Sequence, residues 1–194
     1  METLLTLDQF WFLLINQDLS NGFFDVVLPL IRNKFFWVPL YIFIIGFALS
    51  NYRRPDSYLM VICLIISVVF ADLISSHALK KSIERPRPCR NIMLQGKMET
   101  KVYCGRGYSF PSSHATNHFC LATSIMLIFG IRRKWLILTL VTWAGLISFS
   151  QIYVGVHYPL DVISGSFVGV ICGFFSYWIF LKLGILIPNR SLIT

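Results

Sequence analysis

Three short stretches of this chain hold residue types that together could handle a phosphoryl group. In the first, six residues separate Lys80 from Arg87, and Pro88 follows. Lysine supplies a point charge, and arginine a planar fork that can grip two phosphate oxygens at once. The second, Phe110-Pro111-Ser112-Ser113-His114, runs directly into an apolar helical segment. A helix start exposes unpaired N–H groups and the positive end of a dipole, which suits an anion. Ser112 or Ser113 fits the capping position, and their backbone N–H groups could hold phosphate oxygens. The third, Ser150 to Asp161, sets His157 four residues before Asp161. The two are one turn apart if Pro159 opens a helix. A carboxylate holding one imidazole nitrogen leaves the other free to attack. Taken singly, each stretch has an ordinary reading, as a solvated charged loop or a helix cap.

Each stretch lies at the end of an apolar run, so the runs must bring them together. Of the 194 residues, 56% are hydrophobic and 13% charged, too apolar a balance for an ordinary soluble domain. The fold class expected is an all-α integral membrane protein, with about five transmembrane helices after one or two interfacial ones. Spans are expected at 35–50, 58–76, 111–130, 134–151 and 160–181, since crossing hydrocarbon takes roughly 20 apolar residues. Residues 7–20 read as a short amphipathic helix at the interface. Ser20-Asn21-Gly22 breaks it, and Pro29 bends or ends a second helix over 23–31. The domain reading is 1–34 for these interfacial helices and 35–194 for the transmembrane domain. The first basic residue is Arg32, so a cleaved signal peptide is not expected.

Basic residues cluster in the short connections Arg53-Arg54 and Arg132-Arg133-Lys134, which read as cytoplasmic turns. Alternating spans then put the 80–110 loop, His114 and the 150–157 connection together on the opposite side. A net charge of +8 raises the question of nucleic acid. The basic loop is short and offers only Tyr103 and Tyr108 for stacking, which argues against such a partner.

The three stretches resemble the motifs of the type-2 phosphatidic acid phosphatase family, with the resemblance covering roughly residues 58–180. The register is set by the lysine: counting back from Arg85-Pro86 would put Ala78 in its place. The resemblance implies a metal-independent lipid phosphatase without cofactor. It assigns His157 as nucleophile, Asp161 as its orienting partner and His114 as general acid. Lys80, Arg87, Ser112, Ser113 and residue 151 would bind the substrate phosphate. Two positions depart from the pattern. Ser113 stands for a glycine, and Gln151 for an arginine. Losing one charge-assisted contact costs roughly 1.5–3 kcal/mol, and Arg85, Arg90 or Arg106 is expected to compensate. The implied partners are the bilayer and a phosphorylated lipid, with undecaprenyl diphosphate first. Phosphatidylglycerol phosphate, phosphatidate and lipid A phosphates follow. The implied location is a cytoplasmic-type (inner) membrane, with the site on its outer face. A non-catalytic lipid-phosphate binder or carrier is the rival of another class, prompted by Gln151.

Other residues have plainer readings. His114 and His118 share the spacing of a zinc pair, but Ala115 stands where the glutamate of that motif belongs. His118 is instead expected one turn deeper, making a hydrogen bond. Cys63, Cys120 and Cys172 read as packing residues. Cys89 and Cys104 share the polar loop and would pair if it faces an oxidising compartment. Asp72, inside a span, is either a structural carboxylate or a functional one. Gly165, Gly169 and Gly173 recur every four residues and allow close helix packing.

Overall fold

The computed structural model describes residues 2–184. Residues 185–194, included in the expected transmembrane domain, lie outside the described residues. The described chain is helical. Helix α1 (Glu2–Leu13) runs on through a wider turn to Asp18, and α2 covers Gly22–Ile31. Asn21 caps α2 by accepting from Phe24 N at 3.0 Å, so the expected break does appear there. Helix α1 starts earlier than the expected residue 7.

Four helical stretches are long and apolar enough to cross a membrane: Lys34–Asn51, Asp56–Ile83, Lys134–Tyr153 and Pro159–Gly184. Their main helices are α3 (Val38–Asn51), α4 (Asp56–Leu73), α7 (Lys134–Tyr153) and α8 (Pro159–Gly184), with the short α5 (Lys80–Ile83) closing the second rod. That rod outlasts the expected end at 76, so Lys80 is fixed on a helix rather than in a loop. The remaining expected span, α6 (Ser113–Ile128), has 16 residues and falls short of the other four. It need not be apolar all round, because protein encloses it. Thr116, His118, Thr123 and Ser124 are all buried on it.

Helix α6 sits against α8 along the three glycines. A Cβ at Gly165 would meet Ser112 O at 2.5 Å, and one at Gly173 would meet Thr123 Cβ at 2.5 Å. At Gly169 it would collide with Thr116 O. The four-residue glycine spacing therefore sets how close α8 comes to the start of α6. At the other end of the bundle, Tyr52 and Phe129 meet edge to face at 5.5 Å. This contact places the two basic turns side by side, away from the motif-bearing ends.

The polar segment between Ile83 and Ser112 is anchored over those ends. Cys89 and Cys104 are joined in a disulfide. Leu94 is buried with Phe12, Ala115, Ile152, Tyr158 and Val162. Asn16 donates to the carbonyls of Glu99 and Tyr153, both at 2.8 Å, and accepts from Glu99 N at 2.9 Å. Lys101 pairs with Asp25 and Glu99. At Gly155, with φ +85°, a Cβ would strike Glu99 O. Only glycine lets the turn after α7 fit beneath this loop. The N-terminal helices thus wall the motif-bearing end of the bundle.

Candidate active site

His157 occupies the turn between α7 and α8 and is 2% exposed. Its backbone N–H donates to Gln151 O at 3.2 Å, which ties the turn to the end of α7. Pro159 opens α8 as expected, and Asp161 follows in its first turn. His157 Nδ1 lies 3.4 Å from Asp161 Oδ2, close enough for attraction but long for a hydrogen bond. The carboxylate itself is firmly held. Oδ2 accepts from Tyr158 N at 2.9 Å, and Oδ1 accepts from Arg85 Nη1 at 2.7 Å. The other arm of Arg85 grips Asp8 on α1, whose second oxygen accepts from Leu160 N at 2.8 Å. Arg85 also lies 4.1 Å from the centre of the Tyr158 ring.

On the far side of the imidazole, Arg87 Nη1 is 3.2 Å from His157 Nε2 and also donates to Val156 O at 3.1 Å. Guanidinium only donates, so Nε2 is the accepting, unprotonated nitrogen and Nδ1 carries the proton toward Asp161. Burial pulls His157 down to about 4, outweighing the Asp161 carboxylate, while Arg87 and Lys80 push the same way. The ring is therefore neutral at physiological pH, with a lone pair directed at Arg87.

That shift has a sign for stability. The unfolded chain takes up a proton near the ordinary histidine value of 6.5, which the folded chain refuses until about 4. Acid therefore favours unfolding across this window, and this contribution to stability falls as pH drops from about 6.5 toward 4. Histidine NMR should show His157 still neutral at a pH near 5. Thermal unfolding should lose stability across the same window, and less so in His157→Gln.

Lys80, Arg87, His114 and His157 converge. The charge of Lys80 acts on both histidines, on Arg87 and on Asp161. His114 stands in the first turn of α6, half-buried. His118 Nδ1 bonds to the carbonyl of His114 at 2.8 Å and its Nε2 to Tyr41 Oη at 3.3 Å. His118 is thus one turn deeper and hydrogen-bonded, as expected. Asp72 accepts from Asn117 Nδ2 at 3.0 Å, tying α4 to α6.

The structure corrects three expectations. Ser112 takes the N-cap position without a side-chain cap. Its N–H is spent on Asp161 O at 2.9 Å because Gly165 lets α8 approach so closely, so it is not free for phosphate. Its Oγ is buried with no hydrogen-bond partner. The open amides of this helix start are those of Ser113, His114 and Ala115, the first three helical residues. Ser113 Oγ meets Ser76 Oγ at 3.0 Å. Gln151 does not extend toward a ligand. It is fully buried, and its Nε2 reaches only Ile147 O, at 3.5 Å. Finally, none of the three arginines expected to compensate is turned to that task. Arg85 is committed to Asp8 and Asp161, Arg90 is exposed and donates to Gly105 O at 2.9 Å, and Arg106 is exposed.

Sequence reasoning missed Asp8 and Arg32. Asp8 is buried in an otherwise apolar helix face, a weak signal that a charge pairs inward. Arg32 directly follows α2 at its C-cap, and its charge acts on His114 and Arg87.

A model of the PAP2 superfamily matches residues 58–185, the stretch that carries all three motifs. The chain is 34% identical over 186 residues to a lipid A 4'-phosphatase of Porphyromonas gingivalis, covering 93% of this chain and 76% of that one. It is 31% identical over 176 residues to a lipid A 4'-phosphatase of Bacteroides thetaiotaomicron, covering 88% and 76%. The crystal structure of a transmembrane PAP2-type phosphatidylglycerolphosphate phosphatase from Bacillus subtilis shares the fold. Its TM-score is 0.71 at 21% identity, over 98% of this chain and 90% of that one. By motif, fold and relatives together, this chain is an integral membrane protein of the PAP2 superfamily.

Proposed function

We propose that this protein removes a phosphate from a lipid A-type headgroup through a phosphohistidine on His157. The observation that carries the chemistry is the row Asp161, His157, Arg87. In it a buried carboxylate faces one imidazole nitrogen, and a guanidinium marks where a phosphate would meet the other. Nε2 attacks phosphorus, the bond to the lipid oxygen breaks, and His114 gives its proton to the departing alkoxide. Water then attacks the phosphohistidine, giving up a proton to His114, and inorganic phosphate leaves. Arg87, Lys80 and the open amides at the start of α6 balance the charge that gathers on the phosphoryl oxygens.

Lipid A phosphate moves ahead of undecaprenyl diphosphate because the two relatives named above match along most of the chain. An apolar groove of about 380 Å³ between α3, α4 and α6 supports lateral entry from the bilayer. Lys34 lines it, and it reaches Asn117 and His118, one turn from His114. The basic turns at the opposite end and the Cys89–Cys104 disulfide support an outward-facing site in an inner-type membrane.

Phosphate release from lipid A 4'-phosphate, undecaprenyl diphosphate, phosphatidylglycerol phosphate and phosphatidate tests the reading. Lipid A should be turned over fastest, and chelator should leave the rate unchanged. Preference for another lipid would overturn the substrate. Binding of all four with turnover of none would favour a carrier.

A further inference from the structure

Gln151 leaves the site one cation short of the pattern it resembles, and α2 stands ready to make good the difference. Ile31, the last residue of α2, packs against two core clusters at once. One contains Tyr153, Val154 and Val156, the other Trp143, Ala144 and Ile147. Together these residues bracket Gln151 at the end of α7. Trp37 Nε1 donates to the carbonyl of Ile31 at 2.7 Å, while its ring packs edge to face on Trp143. The next residue, Arg32, is therefore held against the site-bearing end of α7.

Arg32 as a whole is half-buried. Arg32 Nε is buried with no hydrogen-bond partner. Among the described residues no carboxylate pairs with it; its charge acts on His114 and Arg87. A partly buried cation within electrostatic reach of a second cation, and paired with no carboxylate, is poorly placed unless an anion joins them. Gln151, on the end of α7 that Ile31 packs against, is similarly underused, with Oε1 buried and unpartnered.

We propose that Arg32 is a further phosphate-binding residue of this site, bringing from α2 the guanidinium that Gln151 does not bring from α7. Arg32 lies ahead of the stretch matched by the superfamily model. The N-terminal helices thereby become part of the binding site as well as its wall. The inference rests on reading this as a phosphate site, but not on which lipid carries the phosphate.

Inorganic phosphate is the probe, with the full-length protein in detergent and binding followed by phosphorus NMR. Arg32→Gln should weaken phosphate binding roughly ten- to a hundredfold, the worth of one charge-assisted contact. Arg32→Lys should keep part of the affinity, because it keeps the charge but loses the fork. Adding Gln151→Arg to Arg32→Gln should restore binding, a rescue that a purely structural role for Arg32 would not give. Unchanged affinity in a folded Arg32→Gln protein overturns the proposal, and so does a loss that neither lysine nor Gln151→Arg repairs. Lipid turnover measured on the same samples keeps the two readings apart. Arg32-dependent phosphate binding without hydrolysis of any lipid defeats the substrate reading alone. Brisk hydrolysis with Arg32-independent binding defeats this inference alone.

Discussion

His157→Ala is expected to abolish phosphate release, with a loss of roughly 10⁴-fold or more, as when a nucleophile is removed from a catalytic triad. The imidazole is buried and neutral, and its accepting nitrogen faces Arg87. No other histidine shares that position: His114 approaches from a different helix, and His118 is bonded to Tyr41 and to the carbonyl of His114. Asp161→Asn should behave differently. Its oxygen can still accept from Tyr158 N, so the turn should hold, but the amide cannot stabilise the charged imidazole as it forms. Some turnover should remain. Single-turnover rates of both variants, with folding checked by thermal unfolding, measure the contrast. Near-normal hydrolysis by His157→Ala would sink the assignment.

Arg85→Ala should have the second-largest effect, and on a different quantity. Arg85 is the shared partner of two fully buried carboxylates, Asp8 on α1 and Asp161 on α8. Its side chain is only 15% exposed, so solvent screening does little to weaken either pair. Removing it leaves two buried charges without their cation, a loss on the order of 3–5 kcal/mol. Burial already raises the Asp8 carboxyl despite the pairing, so in Arg85→Ala Asp8 should take up a proton and α1 should loosen. Asp8→Asn separates the two roles. It should release α1 while leaving Arg85 on Asp161, and so cost stability with a smaller loss of turnover. Denaturant unfolding alongside turnover checks both variants. An Arg85→Ala protein as stable as the wild type would show that the pairs are not load carriers.

What the sequence revealed depended on how local each signal was. His157 and Asp161 lie one turn apart, so their partnership is written in four consecutive positions. The rods at Lys34–Asn51, Asp56–Ile83, Lys134–Tyr153 and Pro159–Gly184 show as long, predominantly apolar runs. Helix α6 is a weaker signal, because enclosure by its neighbours lets it carry Thr116, Asn117 and His118 in place of apolar residues. Asp8 and Asn16 could not be read in the same way. They reach Arg85 and Glu99 across 77 and 83 residues of chain, from short helices with no motif of their own. The fate of the Ser112 amide was equally hidden. It depends on how closely α8 approaches at Gly165, which spacing suggests but does not fix. Arg32 stood out only as the first basic residue. Its significance comes from Ile31 being wedged beside the end of α7.

The central claim is that phosphate passes through His157, and a trapped intermediate tests it most directly. Protein mixed with phosphorus-labelled lipid phosphate, quenched within one turnover and digested under alkaline conditions, should yield one labelled peptide. Mass spectrometry should place the label on His157, acid-labile and absent from the His157→Ala protein. Label on Ser112, Ser113 or His114, or rapid turnover with no covalent label at any time point, would contradict the account.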